Sequence, residues 1–207
     1  MLKYKLYLFD LDGVLVNTND LQYITIKQAI KDIVNYDIST NKEIDNIFKS
    51  TITSLDKLKY LNKKKIINSE SIQKIYEKKK EIANEYFYKL DIDKTKQNLF
   101  KFLKENNCKI GVVTNSNKKS AEIMLNQIGI RNYIDVLITN NEVNNPKPSP
   151  EPYLKAISSI KNTNIEDCII FEDSEIGIES AINTGCYYYK VNDIDDVNID
   201  LINKLNN

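Results

Sequence analysis

Two carboxylates follow the first apolar run of the chain and lie two residues apart. Asp10 and Asp12 come directly after residues 6–9, and Gly13 behind them lets the chain turn sharply. Paired acids at a strand end are suited to binding a metal ion and to supplying a nucleophile. The pair therefore indicates metal-assisted nucleophilic chemistry.

Polar residues also occur at the ends of three further predicted strands. They are Thr114, Asn115 and Ser116 after the second, Lys147 in a loop after the third, and Glu172 and Asp173 after the fourth. In an open parallel sheet, ligands bind outside the carboxyl ends of the strands, where the strand order reverses. Carboxylates suit Mg²⁺, while an ammonium and N–H donors suit phosphate oxygens. The set predicts a magnesium ion and a phosphoryl group at one edge of the sheet.

The elements that must position these side chains are predicted from apolar periodicity. Short runs rich in β-branched or aromatic residues predict strands over 4–9, 110–114, 136–139, 168–171 and 187–191. Helical patterns lie between them over 94–106, 118–128, 151–159 and 174–184. Alternation of strands and helices predicts an α/β fold with a three-layer, Rossmann-like parallel sheet.

Residues 18–91 interrupt this alternation. They contain no convincing strand, and their apolar residues repeat at helical spacing. We therefore expect a catalytic core formed by 1–17 and 92–207, with an inserted all-helical cap over 18–91. The lysine-rich stretches 63–65 and 78–80 are interpreted as solvated helix faces rather than partner-binding patches.

Composition excludes several classes of partner. The 207 residues include 29 Lys plus Arg and 29 Asp plus Glu, so no net charge attracts nucleic acid or an anionic membrane. No run approaches the roughly 18 apolar residues of a membrane span. Motif-like residues begin at Asp10, which leaves no room for a secretory signal. These features predict a soluble, cytoplasmic monomer that acts on a small molecule.

The absence of histidine restricts the chemistry further. It removes Ser-His-Asp and Cys-His triads together with the commonest zinc ligands. The three cysteines form no CxxC pair and are predicted to be reduced core thiols. Carboxylates, hydroxyls and lysine must therefore carry the reaction.

Taken in order, the strand-end motifs resemble those of the haloacid dehalogenase superfamily, whose members include aspartate-nucleophile phosphatases and phosphomutases. The four motifs are DLDGV at 10–14, VVTNS at 112–116, PKP at 146–148 and IIFEDS at 169–174. The resemblance covers essentially the whole chain. An insertion directly after the first motif is similar to the helical cap of the β-phosphoglucomutase-like and phosphoglycolate-phosphatase-like subgroup. In that subgroup the cap closes over the site and selects the substrate.

The resemblance implies a role for each motif residue. Asp10 is the expected nucleophile, which forms an aspartyl-phosphate, and Asp12 is the expected acid–base partner, whose backbone carbonyl also binds the metal. Thr114, Asn115 and Lys147 are expected to hold the phosphoryl oxygens. Asp10, Asp12, Asp173 and Glu172 are the expected Mg²⁺ ligands, with Glu172 bound either directly or through water.

Residues of the predicted cap depart from the mutase pattern. The mutase-like members carry a cap histidine about twelve residues after the nucleophile, and this chain has Gln22 there. The region 48–53 lacks the arginine that holds a second phosphate, although Lys49 supplies a charge without the bidentate fork. Both departures favour hydrolysis. The substrate-recognition candidates are Thr18, Gln22, Lys49 and Thr53.

Three functions are consistent with the sequence. The first is a Mg²⁺-dependent phosphatase that hydrolyses a small phosphomonoester, a sugar or other metabolite phosphate, through an aspartyl-phosphate. The second is a sugar phosphomutase, and the third is a catalytically inactive binding protein that uses the same pocket. Intact Asp10, Asp12, Lys147 and Asp173 argue against the third.

Overall fold

A parallel sheet is the central element of the fold. The computed structural model of the protein describes residues 2–50 and 53–206. In these ranges the strands are β1 Leu6–Phe9, β2 Lys109–Val113, β3 Val136–Ile138, β4 Cys168–Glu172 and β5 Tyr187–Lys190. All neighbouring pairs are parallel, and the order is β3-β2-β1-β4-β5. The predicted α/β fold is confirmed, and β1 is central, with β2 and β4 on its two sides.

Nine α-helices occur in the same described ranges. They are α1 Asn19–Val34, α2 Lys42–Lys49, α3 Ser54–Lys63, α4 Ser69–Phe87, α5 Lys94–Glu105, α6 Lys118–Gln127, α7 Glu151–Ser158, α8 Glu175–Ile182 and α9 Ile199–Asn206. The contacts between Cα atoms divide the chain into two compact units, Met1–Asn17 with Lys89–Asn207 and Thr18–Tyr88. The second boundary thus follows residue 88, whereas the sequence places it after residue 91.

The larger unit buries both faces of its sheet. Leu6 and Leu8 of β1 belong to an apolar cluster that includes Tyr153 of α7. The alternate residue Phe9 stacks on Phe171 at 4.8 Å between ring centroids and lies 5.2 Å from Phe100 of α5. Successive side chains of a strand point to opposite faces, so a strand covered on both faces is continuously apolar. This is why the run at 6–9 shows no polar alternation.

The smaller unit is helical and has its own apolar core. That core contains Ile26 and Ile30 of α1, Phe48 of α2, Leu58 of α3 and Ile75 of α4. Polar residues that precede three of the helices accept backbone N–H bonds at the helix starts, as N-caps do. None of the helices in the described residues combines the length and the apolar character that a membrane span requires.

Some element boundaries differ from the sequence predictions. Strand β1 begins at Leu6 rather than at residue 4, and the preceding Lys5 donates its N–H to the Asp167 carbonyl and accepts from the Lys109 N–H. Helix α9 was not predicted. It has only eight residues and buries Leu201 and Ile202 against the larger unit, so tertiary packing rather than intrinsic propensity stabilises it. The three cysteines are buried and free of disulfides, as predicted.

Asp135 joins the start of β2 to α5. Its carboxylate accepts bonds from the Ile110 N–H at 2.8 Å, from Lys104 Nζ at 2.8 Å and from Lys109 Nζ at 3.1 Å. Burial opposes ionisation, but these donors outweigh it and hold the pKa of Asp135 below its ordinary value. The ionised form therefore stabilises the fold.

We expect Asp135→Asn to lower the free energy of unfolding at pH 7 by about 1 kcal/mol, because the amide keeps an acceptor oxygen but loses the charge. A carboxyl with a lowered folded-state pKa stabilises above its unfolded pKa, about 3.9, and loses that effect as pH falls through the folded value. Urea unfolding at pH 7 and at decreasing pH below 4 measures this. Substitution of the exposed Asp91 by Asn is the control. If Asp135→Asn and the unmodified protein differ in unfolding free energy by the same amount in acid as at pH 7, the stabilising role of ionised Asp135 is contradicted.

Candidate active site

The carboxyl ends of β1, β2 and β4 meet at one edge of the sheet. Asp10 follows β1, and its N–H donates to the Phe171 carbonyl of β4 at 3.0 Å. Thr114 follows β2, and its N–H donates to the Ile138 carbonyl at 2.9 Å. Glu172 is the last residue of β4. Strand pairing therefore continues to the point where the predicted chemical groups begin.

A buried ammonium joins two carboxylates at this edge. Lys147 Nζ lies 2.6 Å from Asp10 Oδ1 and 2.5 Å from Glu172 Oε1, and it donates to the Val113 carbonyl at 2.7 Å. Lys147 is 5% exposed, Asp10 7% and Glu172 0%. An ammonium has three N–H donors, so these three acceptors account for all of them. The lysine neutralises Asp10 while its own position is fixed by three separate strands.

Backbone contacts hold the loop that carries Lys147. The side-chain amide of Asn115 accepts from the Lys147 N–H at 3.0 Å and donates to the Lys147 carbonyl at 3.1 Å. The Lys147–Pro148 peptide bond is cis. Ser180 of α8 donates to the Ser149 carbonyl at 2.6 Å. The phosphate-binding role expected of Asn115 stays a prediction, and its side chain also holds the residue that carries the charge.

Asp12 has a different environment from Asp10. Its Oδ2 accepts bonds from Ser116 Oγ at 2.8 Å and from Thr114 Oγ1 at 3.3 Å. The Thr114 hydroxyl also accepts from the Ser116 N–H at 2.9 Å, which closes the turn after β2. Two hydroxyl donors therefore orient Asp12. The sequence placed Ser116 among the strand-end residues but assigned it no role.

Three carboxylates form a cluster that fits a divalent cation. Asp10, Glu172 and Asp173 each offer an oxygen, and these atoms lie within 4.8 Å of one another. Asp173 Oδ1 is buried and has no hydrogen-bond partner among the described residues, as expected of an atom whose partner is an ion. Hard oxygen donors of this kind suit Mg²⁺. The donor set therefore fits the predicted cofactor.

Two glycines leave space for these carboxylates. Gly13 has φ +86°, and a Cβ there would lie 2.0 Å from Asp173 Oδ2. A Cβ at Gly177 would lie 2.0 Å from Glu172 Oε2. Gly13 is thus required both by its left-handed backbone and by the close approach of Asp173.

Burial and charge shift the ionisation of this cluster. Burial raises the pKa of Asp10 well above its ordinary value, Lys147 opposes that shift, and Glu172 adds to it. Burial alone would lower the pKa of Lys147, but the charges of Asp10 and Glu172 outweigh burial and raise this pKa. The ammonium therefore stays charged. Burial and then Glu172 raise the pKa of Asp173. Lys147 is therefore the group within the chain that favours ionised Asp10.

Tyr153 was not singled out by sequence. Its hydroxyl donates to Glu172 Oε1 at 2.6 Å, and Lys147 Nζ lies 4.8 Å from the centroid of its ring. Burial, followed by the charge of Glu172, raises the pKa of Tyr153 well above its ordinary value, so the hydroxyl remains a donor. The sequence signal that could have identified Tyr153 is its position five residues after Pro148, on the buried face of a predicted helix.

The four recognition candidates of the smaller unit make contacts within that unit. Thr18 precedes α1 and is buried, while Gln22 Oε1 accepts from Lys79 Nζ at 2.5 Å. Lys49 pairs with Asp45 Oδ2 at 2.6 Å, and Thr53 is the N-cap of α3. Thr51 and Ile52, within the arginine-free region 48–53, lie outside the described residues.

Sequence comparison connects the chain to known enzymes. The family model described as haloacid dehalogenase-like hydrolase matches residues 7–191. A phosphorylated carbohydrates phosphatase of Thermotoga maritima is 25% identical over 187 residues, which cover 86% of this chain and 80% of that protein. A Clostridium perfringens protein with the provisional name pyrophosphatase PpaX is 31% identical over 188 residues, covering 87% and 80%.

Solved structures share the fold over nearly the full length. A β-phosphoglucomutase of Clostridium difficile superposes with a TM-score of 0.76 at 24% identity, covering 97% of this chain and 96% of that one. A haloacid dehalogenase hydrolase of Entamoeba histolytica gives 0.78 at 22% identity, covering 97% and 98%. The predicted family is confirmed by the family model, and the curated relatives are named phosphatases. The chain is therefore an enzyme that belongs to the haloacid dehalogenase-like hydrolases.

Proposed function

We propose that the protein is a Mg²⁺-dependent phosphatase that hydrolyses a small phosphomonoester through an aspartyl-phosphate on Asp10. The observation that carries this proposal is the position of Asp10, at the end of the central strand with Lys147 Nζ 2.6 Å from Oδ1. Attack on phosphorus requires an ionised carboxylate, and an adjacent ammonium favours ionisation. Names of the curated relatives support the reaction class.

Asp10 and Asp12 divide the reaction between them. An Asp10 oxygen forms a bond to phosphorus while the bond from phosphorus to the ester oxygen breaks, and Asp12 gives its proton to that oxygen. Asp12 then takes a proton from water, whose oxygen attacks phosphorus and releases Asp10 as a carboxylate. Ser116 and Thr114, which donate to Asp12, support this role by orienting its carboxylate.

Asp10, Glu172 and Asp173 would hold the Mg²⁺ ion by their carboxylates, and Asp12 by its backbone carbonyl. When bound, the ion neutralises phosphoryl charge. Lys147 adds a fixed positive charge on the same edge, and Thr114 and the amide groups near Asn115 are the proposed groups that hold the phosphoryl oxygens. Thr18, Gln22, Lys49 and Thr53 remain the proposed substrate-recognition residues of the smaller unit.

A phosphate-release assay tests the proposal directly. Sugar phosphates form the main panel because one relative is named for phosphorylated carbohydrates, and inorganic pyrophosphate is included because another carries the name pyrophosphatase. We expect Mg²⁺-dependent release from at least one phosphomonoester, and Asp10→Asn to abolish it because the amide cannot attack phosphorus. The exposed Asp200→Asn is the control. Isomerisation of a sugar 1-phosphate without net phosphate release would instead identify a mutase. If no ester is turned over and Asp10→Asn leaves ligand binding unchanged, the protein is a binding protein.

Asp12→Asn separates the two chemical steps. We expect hydrolysis of an alkyl phosphate to fall by about 10²–10⁴-fold, because the leaving oxygen receives no proton. An aryl phosphate needs less protonation, so the first step should continue while the second, which needs a base, stalls. Mass spectrometry after acid quenching should then detect a phosphoryl group on Asp10. Absence of any covalent adduct in this variant, despite activity in the unmodified protein, would contradict the two-step mechanism.

Lys147→Met tests the charge that favours ionised Asp10. Since Lys147 opposes the effect of burial on the pKa of Asp10, its removal should raise that pKa further. The acidic limb of the pH profile of kcat/KM should move to higher pH, and the plateau rate should fall by roughly 10²–10³-fold through lost charge stabilisation. Exposed Lys161→Met is the matched control. An acidic limb that stays in place would show that Lys147 does not set the ionisation of Asp10.

A further inference from the structure

Tyr153 contacts both partners of the buried ion pair without lying among the proposed reacting groups. It is the third residue of α7, is 0% exposed and packs in the apolar cluster beneath the sheet. Its hydroxyl reaches through this cluster to Glu172 Oε1 at 2.6 Å. A phenylalanine would fill the same apolar volume, so packing alone does not explain the hydroxyl.

The hydroxyl determines which oxygen of Glu172 remains available. Glu172 Oε1 accepts from Tyr153 at 2.6 Å and from Lys147 Nζ at 2.5 Å. A carboxylate oxygen has two acceptor positions, and these two donors fill both. Within the described residues, Glu172 Oε2 accepts a long hydrogen bond of 3.4 Å from Ser174 Oγ. The two donors therefore orient the carboxylate so that Oε2 is the oxygen left for a cation.

Tyr153 also affects how strongly the Lys147 ammonium interacts with each of its two carboxylate partners. Lys147 Nζ lies between Asp10 Oδ1 and Glu172 Oε1 and 4.8 Å from the Tyr153 ring centroid. A hydroxyl that donates to Glu172 offsets part of that carboxylate's charge. Without it, Glu172 would attract Lys147 more strongly at the expense of Asp10.

We propose that Tyr153 is a positioning residue, which orients Glu172 for the metal ion and keeps Lys147 on Asp10. This inference rests on the proposed function for its catalytic consequence, but its effect on metal binding does not require turnover. Removal of a group that hydrogen-bonds to a metal ligand and orients it typically lowers metal affinity or activity by about 10–100-fold.

The test is Tyr153→Phe, which keeps the ring, the packing and the contact with Lys147 and removes only the hydroxyl. Calorimetric titration of the full-length protein with MgCl₂, without substrate, should show Mg²⁺ binding weakened by about 10–100-fold. At saturating Mg²⁺, kcat should fall by about 10-fold with a much smaller change in KM, because the ester-binding groups are untouched.

Tyr7→Phe is the matched control. Tyr7 is also fully buried, on the central strand β1, and its hydroxyl hydrogen-bonds with the Asn206 side chain rather than with the site. Both variants lose one buried hydroxyl, so similar losses of thermal stability with weakened Mg²⁺ binding only in Tyr153→Phe would support the proposal. Unchanged Mg²⁺ binding and kcat in Tyr153→Phe, or equal effects in Tyr7→Phe, would overturn it.

The wild-type protein distinguishes this inference from the proposed function. If it binds Mg²⁺ but releases phosphate from no ester, the proposed function fails, and the calorimetric comparison of the two variants still decides the role of Tyr153 in positioning Glu172. If it binds no divalent cation, both the magnesium-dependent function and the role of Tyr153 are overturned.

Discussion

The Lys147 ammonium lies between two buried carboxylates, and the arrangement of the site depends on this charge. Asp10 and Glu172 end neighbouring strands, so their carboxylates would repel each other in a region with little water. A buried ion pair that loses one partner typically costs about 3–5 kcal/mol because the remaining charge is uncompensated. Lys147 therefore allows the two acids to be buried, in addition to its proposed role in the reaction.

Much of the surrounding structure serves to bring that ammonium to its place. Lys147 lies in a loop rather than on a strand, and a loop residue must be held by contacts with its backbone. Asn115 provides two such bonds, and Ser180 holds the neighbouring residue 149. Asn115, which sequence reasoning interprets as a phosphate-binding residue, thus also fixes the position of the charged side chain.

The two acids of the first motif lie in contrasting environments although only one residue separates them. Asp10 is buried against an ammonium and two further carboxylates, whereas Asp12 accepts bonds from two hydroxyls after β2. Carboxylates in different surroundings can take different roles, one as nucleophile and one as proton carrier. The geometry is consistent with such a division, because each acid is oriented by a separate set of donors.

Local pattern was sufficient for the sheet, the helical insertion and the order of the motifs. Continuous apolar runs specify buried strands because both faces of the sheet are covered, and strand-end polar residues converge wherever strands are parallel. The three-way contact of Lys147, the orienting amide of Asn115 and the hydroxyl of Tyr153 were decided only by tertiary structure. Each depends on atoms from segments far apart in the chain, as in the bond between Tyr153 and Glu172, and periodicity carries no information about which side-chain atoms meet. Sequence thus determined which edge of the sheet holds the chemistry, and packing decided which groups touch there.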